Sequence, residues 1–153
     1  MNSLLHLLQD EKQQVGLFLD CLRNEQAALV AAQIEELVTL SQAKLSLVDR
    51  LNDIESRRLS LIGHQNAGDK SAMSNWFATH PEDAAAKTVW ADILELAREA
   101  RGLHQMNGEL IRMHLENTQE AIAILTLRQK EVGLYGSDGQ ASNKSGSRLV
   151  DSA

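Results

Sequence analysis

From Glu82 to Glu131 the chain runs for about fifty residues with helical spacing of its apolar side chains and no proline. The only proline of the chain, Pro81, stands immediately before that run. A helix of this length is ~75 Å long, far more than a small domain needs to bury one core. Whatever the rest of the chain does must be organised along this element. Part of it is expected to project or to pair with another chain.

Two further helices are expected upstream. Leu4, Leu8, Val15, Phe18, Leu22 and Leu29, with Leu5 and Leu19 beside them, recur at helical intervals over residues 3–29, and Ser3 is a candidate N-cap. The phase changes over Val30–Gln33, which reads as a break or tight turn. A second helix follows from Ile34 to Ile62. Its stripe passes through Leu37, Leu40 or Ser41, Lys44, Leu47 or Val48, Leu51, Ile54 and Leu61. Lys44, Arg50, Arg57 and Arg58 balance Glu35, Glu36, Asp49, Asp53 and Glu55, which reads as a solvated face. Gly63 to Lys70 has turn residues and no apolar period, and Ser71 to Phe77 suits a short helix that sets Trp76 and Phe77 against the bundle. Pro81, Glu82 and Asp83 form a helix start, with the carboxylates complementing the positive end of the helix dipole. Gly133 is the expected stop. The Ser-, Gly- and Asn-rich stretch after it has little to bury and reads as flexible.

The expected fold is therefore all-α: an elongated antiparallel bundle or coiled coil of three long helices, with a short extra helix and a flexible C-terminal tail. The helical domain covers residues 1–132 and the tail 133–153. Composition agrees with this, since aromatics make up 3% of the 153 residues and helix formers dominate. The formal net charge of −6 opposes a nucleic-acid partner, which needs a basic face. Cys21 is the single cysteine and has no internal disulfide partner, which fits a reducing compartment; it reads as a small buried hydrophobe. Met1 to Leu8 lacks the basic start of a signal peptide, and no segment approaches the ~20 apolar residues of a membrane span. A cytoplasmic protein without membrane insertion is expected.

Catalytic and metal chemistry lack their residues. The five histidines are His6, His64, His80, His104 and His114. None follows a glutamate by three residues, as di-metal bundles require, and neither His-Glu-x-x-His nor Cys-x-x-Cys occurs. Gly133, Gly136 and Gly139 follow no strand and precede no Gly-Lys-Ser/Thr, so they do not form a phosphate loop. The chain is expected not to be an enzyme and to carry no cofactor or metal.

The long helix instead shows surplus apolar surface. One seam runs Ile93, Leu96, Ala100, Leu103, Asn107, Leu110, His114, Asn117, Ala121, Ile124, in steps of three and four. Its polar members either specify register or lie in a solvated stretch. A second stripe, Ile111, Leu115, Ile122 and Leu125, runs beside it, and Met106 and Met113 flank the other side. Together they exceed the ~100° face of an ordinary surface helix. Two accounts stand level on pattern: the half from Leu103 to Leu127 is buried by both other helices, or it is a groove for a partner helix. Methionine and asparagine on such a surface suit a binder that accepts more than one partner.

Four segments in order carry a family resemblance: Leu7-Leu8-Gln9-Asp10-Glu11, Gln42-Ala43-Lys44-Leu45, Asn107-Gly108-Glu109-Leu110-Ile111 and Leu134-Tyr135-Gly136-Ser137-Asp138-Gly139. The whole architecture resembles the FlgN-type flagellar export chaperones. That resemblance implies a cytoplasmic chaperone that binds the C-terminal helices of hook–filament junction (hook-associated) proteins. It would prevent their premature assembly and deliver them to the type III export gate without hydrolysing ATP itself. It implies cargo contacts over the region from Asn107 to Leu127, where the stripe and its flanks offer Met106, Asn107, Ile111, Met113, His114, Leu115, Asn117, Ile122 and Leu125 as the contact residues. It implies docking to the cytoplasmic domain of the export gate through Tyr135. The free protein is expected to be a monomer or weak homodimer. Two competing readings use the same surface: a structural coiled-coil adaptor that homodimerises, and a related secretion chaperone for another flagellar cargo.

Overall fold

The computed structural model describes residues 3–63 and 70–135, with side chains described as far as residue 128. Among these the structure is all-α: α1 (Ser3–Val30), α2 (Ile34–Leu61), α3 (Ala72–Thr79), a 3-10 turn (Pro81–Asp83) and α4 (Ala84–Tyr135). Contacts divide the chain into Met1–Leu110 and Ile111–Ala153.

The first unit is a three-helix packing of up–down–up order. Pairs across its helices fix the directions. Glu11 of α1 meets Arg58 of α2 and Glu25 meets Lys44, so these two helices run antiparallel. Lys12 meets Asp92 and Arg23 meets Glu99, so α4 runs parallel to α1. Leu4, Leu8 and Val15 of α1 form one core cluster with Met73 and Phe77 of α3 and Ala86 and Ile93 of α4. Leu51, Ile62, Trp76 and Trp90 pack around it. A second cluster joins Leu19 and Leu22 to Ala100, with Phe18, Leu96 and Leu103 against it. The expected α1 stripe thus faces the core, and Trp76 and Phe77 pack as the short helix predicted.

The α1–α2 connection is tight because α1 ends in a Schellman arrangement. Gln33 N–H donates to Ala28 O at 2.9 Å and Ala32 N–H to Leu29 O at 3.2 Å. Ala32 occupies the left-handed position at φ 55° that glycine ordinarily fills. At the other end, α4 is anchored by a joint. Trp76 Nε1 donates to Asp83 at 3.0 Å, and the Trp76 and His80 rings stack 3.5 Å apart. Pro81 opens the 3-10 turn, where its missing N–H leaves no bond unmade.

Ser3 is helical, and the residues before it lie outside those described. Three expectations change. Leu61 is exposed, whereas Leu59 is buried; the α2 face turned inward passes Leu51, Ile54, Arg58 and Ile62. Arg58 is not on a solvated face: its guanidinium bonds the buried Glu11 carboxylate at 2.9 and 3.3 Å and lies 4.5 Å from the Trp90 ring centre. Burial pushes the Glu11 carboxyl above its ordinary range even beside this cation. Finally, Gly133 does not stop α4, which continues to Tyr135. One glycine costs a helix only about 1 kcal/mol and removes no hydrogen bond. Cys21 is buried, as expected, with its thiol 3.6 Å from Leu40 O, and burial raises its pKa.

Candidate binding surface on the long helix

Within the first unit α4 turns one face to the core at intervals of seven: Ala86, Ile93, Ala100 and Asn107 are all buried. The polar member of this series is accommodated, not exposed. Asn107 is 1% accessible, and its Nδ2 donates to Leu22 O at 3.0 Å and to Glu25 Oε1 at 2.9 Å. Lys44 closes the network, 3.4 Å from both Glu25 oxygens and 3.2 Å from His104 Nδ1. The ammonium can only donate, so this histidine nitrogen accepts. The expected cargo contact at Asn107 is therefore corrected. Its amide nitrogen is committed inside the fold, where it fixes the register of α4 against α1, while its Oδ1 is buried without a hydrogen-bond partner.

Beyond Leu110 the burial pattern ends. Every described side chain from Ile111 to Arg128 is exposed. These include Ile111, Met113, Leu115, Ile122, Ile124, Leu125 and Leu127, each at least half accessible. Met106, in the first unit, is exposed as well.

The exposed apolar residues are ordered. Ile111, Leu115, Thr118, Ile122 and Leu125 follow one another in steps of four and three, which keeps them on one side of a helix. Thr118 is the member sequence reasoning missed. Its hydroxyl donates to His114 O at 2.8 Å, so it interrupts the stripe with no unmet donor. Thr126 likewise donates to Ile122 O. His114 and Asn117 lie exposed beside the stripe. Tyr135 is the last described residue of α4; its side chain, and the segment from Gly136 onward, fall outside the described residues.

Such a face offers apolar area to a partner. Covering an aliphatic side chain fully is worth about 1.5–3 kcal/mol, so a half-exposed stripe leaves part of that available to a partner with a matching repeat. Among the described residues no group of three or more His, Cys, Asp or Glu could hold a metal, and no helix is long and apolar enough to cross a membrane.

Residues 1–143 match the family model described as FlgN protein. The flagella synthesis protein FlgN of Salmonella typhimurium (strain LT2) is 33% identical over 121 residues, covering 77% of this chain and 75% of that protein. That of Yersinia enterocolitica is 30% identical over 123 residues, covering 79% and 77%. That of Proteus mirabilis is 25% identical over 143 residues, covering 92% and 91%. No solved structure matches the chain. An all-α chain with an unburied stripe on its longest helix, matched by the family model over nearly its whole length, belongs to the FlgN family.

Proposed function

We propose that this protein is a cytoplasmic chaperone of flagellar type III export. Its α4 surface receives the C-terminal helices of hook-associated proteins, holds them from premature assembly and presents them to the export gate. The observation that carries the reading is the exposed stripe Ile111, Leu115, Ile122 and Leu125. Its spacing is that of a helix-in-groove contact, in which a partner lays its own apolar face along the stripe. Met106, Met113, His114 and Asn117 extend the contact on either side. Methionines adapt to different side chains, which suits a chaperone with more than one cargo. The relatives' name, flagella synthesis protein, supports the pathway.

The test is titration of the full chain with a peptide spanning the C-terminal helix of a hook-associated protein. Replacing Ile111 and Leu115 together by Glu is expected to weaken binding by about 100-fold, two interface anchors of roughly 1.4 kcal/mol or more each. Urea unfolding should stay cooperative with an unchanged midpoint. Unchanged affinity, or lost cooperative unfolding, overturns the assignment. Light scattering separates this reading from a structural coiled coil: excess peptide should leave a monomeric 1:1 complex, whereas a tight dimer indifferent to peptide favours the adaptor.

Tyr135 is proposed to dock on the cytoplasmic domain of the export gate. An aromatic with a polar tip is a common interface anchor. Tyr135→Ala is expected to leave thermal stability and cargo affinity at wild-type values. Binding of the cargo-loaded chaperone to the isolated gate domain should fall at least about tenfold. Loss of cargo affinity would move Tyr135 into the cargo site, and undiminished gate binding would remove the docking role.

A further inference from the structure

The two core clusters of the first unit share Leu96. Beside this junction α4 presents small side chains, Ala97 and Ala100, opposite Val15 and Phe18 of α1 and Val48 and Leu51 of α2. The result is an open apolar slot of about 410 Å³, within the size range of ligand sites. Every residue lining it lies within Met1–Leu110, so it is distinct from the stripe that begins at Ile111.

The rim of the slot is charged in one sense. Its charged members are Lys44 and Arg101, with His104 beside them accepting from Lys44, and no acidic residue lines it, in a chain with 21 acidic and 15 basic residues. Lys44 shares its charge with Glu25 at 3.4 Å. Arg101 is exposed and has no ion pair among the described residues, so it is the cation most available to an incoming anion. From Ala97 to His104 the slot follows two turns of α4, ~10 Å. That length matches apolar side chains one turn apart on another helix, with an acidic residue beside them.

We propose that this slot docks an acidic amphipathic helix of a partner protein, its aliphatic side chains entering over Ala97 and Ala100 and its carboxylates meeting Arg101 and Lys44. The site does not depend on the cargo surface of α4. It gives the chaperone a second contact, selective by charge where the stripe of α4 is selective by apolar shape.

The experiment uses the full chain and two synthetic helical peptides of about 18 residues. One has a leucine stripe flanked by glutamates; the other has lysine in place of every glutamate. Methyl NMR reports the site through Ala97, Ala100, Val48 and Leu51. The glutamate peptide is expected to shift these methyls, to bind at least about tenfold tighter than the lysine peptide, and to weaken with added salt. Arg101→Glu should abolish that preference without altering thermal stability, because Arg101 is exposed. Ala97→Leu, which fills the slot, should block both peptides. The Ile111 and Leu115 double variant should bind the glutamate peptide as the wild type does, so failure of the cargo assignment and failure of this one remain distinguishable. Equal affinity for the two peptides, shifts confined to Ile111–Leu127, or unchanged binding in Arg101→Glu overturns the proposal. So does a homodimer that Arg101→Glu dissolves, because the occupant would then be a second copy of the chain.

Discussion

Arg58→Ala is expected to cost about 3–5 kcal/mol of folding stability, while Arg57→Ala, one residue away, should change it by less than about 0.5 kcal/mol. Both arginines are in ion pairs, so the difference lies in solvent. Arg57 reaches Asp53 at 2.7 Å one turn earlier on α2, with both side chains more than half exposed. Water screens that pair and would solvate either partner alone. The Arg58 and Glu11 side chains are 9% and 8% exposed, and removing the cation leaves a carboxylate where water does not reach. Trp90 also loses the guanidinium over its ring.

The loss should depend on pH in a definite direction. Burial already holds the folded Glu11 carboxyl above its ordinary value, and Arg58 opposes that rise. A carboxyl raised on folding binds its proton more tightly in the native state. Its contribution is therefore fully present below the unfolded value and is lost as pH rises through the folded one. Taking Arg58 away removes the opposing influence and extends the interval upward. Urea unfolding should then show Arg58→Ala less damaged at pH 5 than at pH 8. Replacing both partners, Glu11→Leu with Arg58→Met, should recover most of the loss, because no unpaired charge remains. A single Arg58→Ala variant as stable as Arg57→Ala would mean the pair is open to water.

This pair also shows where sequence reading reaches its limit. The apolar stripe of α1, the turn at Val30–Gln33, the short helix with Trp76 and Phe77 and the start at Pro81 all have local causes: helical periodicity, a phase break, a fixed proline φ. They are legible for that reason. Glu11 and Arg58 lie 47 residues apart, and nothing near Arg58 separates it from its exposed neighbour. Only the packing of α1, α2 and α4 together makes it an interior residue.

The surface on α4 is legible in part for a related reason. The three-and-four spacing identifies a seam and a second stripe, but spacing does not say where coverage stops. Asn107 and His114 are seven residues apart on the same seam. One is buried against Leu22 and Glu25; the other is exposed. How far a seam stays covered depends on what packs against it, which spacing alone does not encode. That is why a polar residue expected to touch cargo proves to be a register lock, while the aliphatic residues beyond it remain available. Gly133 misleads for a simpler reason: glycine is common just past helix ends, yet costs too little to end one where neighbouring residues keep helical hydrogen bonds.

Leu22→Ala is expected to lose about 2–5 kcal/mol, and Leu125→Ala less than about 0.5 kcal/mol. Both leucines lie in long helices and both changes remove the same atoms, so helix propensity cannot separate them. Leu22 is 0% exposed, in the cluster with Leu19 and Ala100, and its truncation leaves a cavity the helices cannot collapse to fill. Leu125 is 60% exposed and leaves none. On the proposed function, cargo binding should reverse the order: Leu125→Ala is expected to weaken binding of a hook-associated peptide several-fold, while Leu22→Ala, below its unfolding midpoint, should bind it as the wild type does. Urea denaturation and peptide titration of the same two variants test both halves. If Leu125→Ala destabilised the free chain as Leu22→Ala does, the stripe would already be covered in solution, by a second copy or by the chain itself. A chaperone surface has to be absent from the stability of the protein that carries it, because only apolar area still in contact with water can yield free energy to a cargo helix.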